Sequence, residues 1–104
     1  MMEKTDFAKR LVELRMNKGV SARDMSLSIG QSAGYINNIE NGINYPSMAV
    51  FFYICDYLGI SPKEFFDLDI VNPSKANELL SIANHLNSEQ LDHLIAIASG
   101  LRRT

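Results

Sequence analysis

Four glycines, Gly19, Gly30, Gly42 and Gly59, constrain this chain more than any other feature. Each follows a segment whose apolar residues recur at helical spacing. Glycine just past the last periodic residue is a common helix stop, because it enters the left-handed backbone region without steric cost. Phe7, Leu11 and Leu14 recur at i, i+4 and i+7 ahead of Gly19, with Thr5 as the expected N-cap. Ser21 caps a short second helix with Met25 and Ile29 inward, stopped at Gly30. Ser32 opens a third helix over residues 32–41, with Tyr35, Ile36 and Ile39 inward, closed by Asn41-Gly42. Pro46-Ser47 starts a fourth, carrying Phe51, Ile54, Cys55 and Leu58 to Gly59. Ser61-Pro62-Lys63-Glu64 is a capping box with proline at the first helical position, and it starts a fifth helix through Phe65 and Phe66. No run of β-branched residues alternates with period two, so strands are not expected and the fold class is all-α.

Residues 67–72, DLDIVN, read as a linker. Pro73 then begins a sixth helix with Ala76, Leu79, Leu80, Ala83 and Leu86 on one face. Ser88 caps a seventh with Leu91, Leu94, Ile95, Ala98 and Leu101. Asn87 alone separates the two, which predicts a C-terminal helical hairpin. The expected organisation is a five-helix domain over residues 1–68 and a hairpin over residues 69–104. The apolar faces of the hairpin exceed what two helices can hide from water. A homodimer contact through Leu91, Leu94, Ile95, Ala98 and Leu101 is the expectation, with packing against the Val50, Tyr53 and Tyr57 stripe of the same chain as the alternative.

Composition narrows the class. With 104 residues, 46% hydrophobic and 21% charged, the chain is too apolar for disorder and long enough for a packed core. No apolar run reaches membrane-spanning length, and the charged N-terminus lacks the apolar stretch of a secretory signal. A single cysteine suits a reducing compartment, so a cytoplasmic location is expected. Enzyme signatures are missing. His85 and His93 have no metal-ligand companions at zinc spacing, Asp67 and Asp69 lack the further ligands of a calcium loop, and no GxxxxGK run is present. Cys55 lies among Phe51, Phe52, Ile54 and Leu58 and reads as a small core hydrophobe. Neither catalysis, a metal nor a cofactor is expected. The net charge of −2 is unevenly spread. Residues 1–45 hold six basic against five acidic side chains, and residues 46–104 hold four against seven, so an anionic ligand favours the first half.

The most specific stretch is residues 22–41, where small Ser26 and turn-forming Gly30 lie between the apolar positions Met25, Ile29, Ile36 and Ile39. Around it stand Leu14-Arg15, Lys18-Gly19-Val20-Ser21, Tyr35 through Gly42, Pro46-Ser47 and Leu58-Gly59-Ile60-Ser61. This pattern resembles the lambda-repressor-like (Xre-type) helix-turn-helix family over residues 7–66. The resemblance implies a sequence-specific regulator, expected to be a dimeric repressor of double-stranded DNA, with helix 32–41 in the major groove. Mapped residue by residue, it implies DNA contacts from Arg23, Ser32, Ala33, Gly34, Tyr35, Asn37, Asn38, Asn41 and Asn44. Asparagine can pair bidentately with adenine, which suits the outer face of the third helix. It also implies that Arg15 and Glu40 form an ion pair setting the angle of that helix.

The chain departs from the family pattern in three places. Ala22 stands where a glutamine is common, Ala33 and Gly34 replace long polar readers, and the following loop, Ile43-Asn44-Tyr45, is uncharged. Phosphate contact is therefore expected from Lys9, Arg10, Lys18 and Arg23. The thin reader keeps a second reading open: a protein-interaction module, antitoxin-like or a scaffold, with weak or no DNA binding. Val50, Tyr53 and Tyr57 form a second stripe on the fourth helix that such a role could use.

Overall fold

A computed structural model describes residues 2–102. Among them run seven helices and no strand: α1 (Lys4–Lys18), α2 (Ala22–Ser28), α3 (Tyr35–Glu40), α4 (Met48–Leu58), α5 (Pro62–Phe66), α6 (Pro73–Ala83) and α7 (Ser88–Arg102). The chain divides into two compact units, Met1–Ser74 and Lys75–Thr104.

The first unit is built around one core. Phe7, Leu11 and Leu14 of α1 meet Met25, Ile29, Ile36 and Ile39 of the α2–α3 pair, Phe51, Ile54, Cys55 and Leu58 of α4, and Phe65 of α5. Burying each of the larger side chains contributes roughly 1.5–3 kcal/mol against chain entropy. One end of the core is aromatic: Phe65 lies 4.9 Å from Phe7 and 5.1 Å from Phe51 between ring centroids. All four stop glycines adopt positive φ, between 71° and 78°. At Gly30 an added Cβ would meet open space, so the demand there is conformational rather than steric.

Several helix ends differ from the sequence expectation. α1 starts one residue before Thr5, at Lys4, because the Asp6 carboxylate accepts the Glu3 N–H at 2.9 Å and anchors the first turn there. The Ser61 and Glu64 box forms as expected, with reciprocal bonds of 3.1 and 2.9 Å. α6 ends at Ala83 rather than Leu86, where residues 84–86 tighten into turns. α7 is capped by Asn87, not Ser88: the Asn87 side chain accepts the Gln90 N–H at 2.9 Å, and Gln90 returns the bond at 3.1 Å. The linker stays with the first unit as far as Ser74. The Asn17 amide donates to the Val71 carbonyl at 2.6 Å, and Pro73 is buried.

The second unit has a different character. From Lys75 to Arg102 no described residue is buried. Leu79, Leu80, Ile82, Ile95, Ile97 and Leu101 are each at least half exposed.

Candidate nucleic-acid interface

The α2–α3 pair is held by a side chain whose hydroxyl has a role that sequence reading missed. Ser26 is fully buried, and its Oγ donates to the Ala22 carbonyl at 2.7 Å while accepting the Ile36 N–H at 3.0 Å. That amide belongs to the first turn of α3, whose N–H groups have no intrahelical acceptor. The N-cap of α3 is Gly34, which has no side chain to serve. Ser26 therefore caps α3 from the neighbouring helix, ten residues away in sequence, and fixes where α3 begins. The sequence signalled only that residue 26 is small.

The same cap explains why the third helix is shorter than expected. Regular helix runs from Tyr35 to Glu40, and residues 32–34 form a turn closed by the Tyr35 N–H on the Ser32 carbonyl at 3.1 Å. Ser32 and Gly34 are exposed, and Ala33 and Tyr35 half-buried. On α3, Ile36 and Ile39 point into the core, while Asn37, Asn38 and Asn41 are exposed. Arg23 is exposed near the start of α2, and Asn44 is exposed in the loop beyond α3. Gly34 has φ −94°, open to any residue, and an added Cβ there would meet nothing within 4 Å. The fold places no demand for glycine at that point.

Arg15 and Glu40 tie the far end of α3 to α1. Arg15 Nε donates to Glu40 Oε2 at 2.7 Å and its second terminal nitrogen to Oε1 at 3.0 Å. Its first terminal nitrogen donates to the Val20 carbonyl at 2.8 Å. The two side chains are 14% and 8% exposed, so this bidentate pair is largely shielded from water. Hydrogen bonding to Glu40 pushes the Arg15 guanidinium further up from its already high value. With Ser26 at one end and Arg15 at the other, α3 is held at both ends.

The cations are arranged differently from expectation. Arg10 is not available to phosphate. It is 3% exposed and donates to the carbonyls of Phe65 at 2.6 Å, Glu64 at 2.7 Å and Asp67 at 2.9 Å, with a further bond to the Glu13 carboxylate. These carbonyls close the last turn of α5, so Arg10 serves as a helix C-cap. Lys18 lies over the Tyr57 ring, 4.9 Å from its centroid. Lys4, which the sequence did not single out, stands 5.8 Å above the Tyr45 ring in the uncharged loop. Lys9 lines a groove with Thr5, Glu40, Asn41 and Gly42 at the end of α3. Two α1 lysines thus supply charge where the loop has none. The contact spans some forty residues, which no local pattern reveals.

Among the described residues no group of three or more His, Cys, Asp or Glu could hold a metal ion, and no helix is long and apolar enough to cross a membrane. Burial pushes the Cys55 thiol up to about 11, with the Asp56 carboxylate adding to the shift, which disfavours the thiolate.

Two short helices crossed over a glycine turn, with the second presenting a polar face and bracketed by cations, define the helix-turn-helix class of DNA-binding domain. Residues 8–69 match the model of a family described as a helix-turn-helix domain, and the chain belongs to that family, in its lambda-repressor-like branch of DNA-binding transcriptional regulators. Among solved structures it is similar to the restriction-modification controller protein C.AhdI from Aeromonas hydrophila. The identity is 30% over 61% of this chain and 91% of that one, with a TM-score of 0.57. It also shares the fold of the clp gene regulator ClgR from Corynebacterium glutamicum, at 20% identity and a TM-score of 0.59, over 94% of this chain and 95% of that one. No curated protein matches the sequence significantly.

Proposed function

We propose that this chain is a sequence-specific repressor that acts as a homodimer and lays α3, with the turn 32–34 before it, into the major groove of double-stranded DNA. The observation that carries this reading is the clamped α3 with Asn37, Asn38 and Asn41 exposed on its outer face. Gly34 supports it: a glycine the fold does not need leaves room for a close approach of the backbone to a ligand. In this reading Ser32, Ala33 and Tyr35 meet the duplex beside those asparagines, and Asn44 meets it from the loop. Phosphate contact comes from Arg23, Lys9 and Lys4, with Lys4 in place of the buried Arg10.

Fluorescence anisotropy on the duplex upstream of the chain's own gene, against a random duplex, tests it. Two or three phosphate contacts per subunit give a slope of log K against log salt of about −4 to −5 for a dimer. Asn38→Ala should weaken specific binding by about 1–3 kcal/mol and relax preference at one base pair, leaving the salt slope unchanged. Absence of binding to any duplex at low salt would move the assignment to the interaction module, which the uncharged 43–45 loop favours.

A further inference from the structure

Residues 67–74 have the sequence of a linker, yet they lie along α1, and two side chains hold them there. Arg10 donates to the Asp67 carbonyl at 2.9 Å, and Asn17 donates to the Val71 carbonyl at 2.6 Å. Arg10 and Asn17 are seven positions apart, about two helical turns, so both stand on one flank of α1. Beyond them Pro73 is fully buried, and the Ser74 Oγ would be 3.8 Å from a Cβ added at Gly59. Between the two anchors the strap turns on itself. The Ile70 N–H donates to the Asp67 carbonyl and the Asp69 N–H to the Asp67 carboxylate, each at 3.2 Å. The helix-turn-helix match ends at residue 69, so Val71, Pro73 and Ser74 lie outside the matched span.

The anchors are unequal. At the first, a side chain 3% exposed reaches three carbonyls, those of Glu64, Phe65 and Asp67. Breaking it would strand a buried charged donor. The second is one amide bond between two exposed residues, followed by a single buried proline. Water can replace that amide bond at small cost. α3 is tied to α1 through Arg15 and to α2 through Ser26, and neither tie involves the strap.

We infer that residues 68–74 are a latched strap, which peels from α1 at the Asn17 end and stops at Arg10. Latched, it leaves no slack: α6 begins at Pro73 within the first unit, and the second unit starts at Lys75. Released, residues 68–72 become free chain with a root-mean-square reach of about 12 Å. The chain thereby lengthens the tether of its second unit without altering the surface that α3 presents. The inference goes beyond the repressor reading and does not depend on DNA binding.

Limited digestion of the full chain with thermolysin, which cuts before large apolar residues, tests it when the cut bonds are read by mass spectrometry. Initial cutting reports the population of the locally opened state. Asn17→Ala, at an exposed helical position, should speed cutting before Ile70 and Val71 by about fivefold, the loss of one ordinary hydrogen bond. The melting temperature and the cutting before Phe65 and Phe66 should stay as in the wild type. Equal cutting before Ile70 and Val71 in the two chains overturns the inference, because Asn17 then latches nothing. A matching rise before Phe65 and Phe66 overturns it as well, since the strap and α5 then open together. So does a lowered melting temperature, which would make Asn17 a prop of the whole unit. Duplex binding, measured separately by anisotropy, bears only on the repressor reading.

Discussion

α1 and α7 have the same length, fifteen residues, and similar apolar spacing, yet they end in opposite circumstances. α1 buries Phe7, Ala8, Arg10, Leu11 and Leu14, whereas no residue of α7 is buried. A periodic apolar face states that something must cover it, not what does so. In residues 2–74 the cover comes from the same chain: four other helices and an aromatic cluster close over α1. In residues 75–102 no described residue is buried. The difference separates a unit with a core of its own from one that buries no described residue.

The contrast is tested most severely at Phe65, which is fully buried between Phe7 and Phe51. Phe65→Ala should cost about 3–5 kcal/mol, a large share of the stability of so small a unit. Urea titration followed by far-ultraviolet circular dichroism would show it, and an unchanged midpoint would mean that the first core is not the cooperative unit described.

Arg10→Met should come next, at about 2–3 kcal/mol, because three carbonyls at the end of α5 lose a charged donor. The salt slope of DNA binding should not change. A slope lowered by one unit per subunit would return Arg10 to the phosphate surface.

Arg15→Ala and Glu40→Ala should each destabilise, and the double variant should recover part of the loss. A coupling of about 1–2 kcal/mol is expected for a shielded bidentate pair. Strict additivity in the cycle would mean that the pair does not hold α3.

Cys55 gives the first unit a pH signature. Its thiol titrates at about 11 when folded against an ordinary 9.0, so the folded state holds the proton more tightly. The resulting stability is fully present below pH 9 and is lost as pH rises towards 11, on the order of 1–2 kcal/mol. Comparison with Cys55→Ala isolates it, since that variant should show a smaller decline over the same window.

The smallest effect belongs to α7. Ile97 is 64% exposed, and Ile97→Ser should change the stability of the dilute chain by less than about 0.5 kcal/mol. A cost near that of Phe65→Ala would show a core in residues 75–102 and erase the contrast.

Much of the fold was legible from local pattern. Helix stops at Gly19, Gly30, Gly42 and Gly59, the Ser21, Ser47 and Ser61 caps, and the inward faces of the first five helices follow from short-range chemistry, because capping and amphipathic spacing act within one or two turns. The helix-turn-helix itself could be read because its small residue, its glycine and its apolar wedge lie within twenty consecutive positions. What depended on the folded chain was the fate of polar and charged groups, whose partners are set by three-dimensional proximity. Arg10 looked like a phosphate ligand until α5 placed three carbonyls around it, 54 to 57 residues away. Ser26 looked merely small until α3 offered it an amide. Lys4 looked like ordinary surface until the loop after α3 set Tyr45 beneath it. A charge or a hydroxyl has no period along the chain, so its role is decided where distant segments meet.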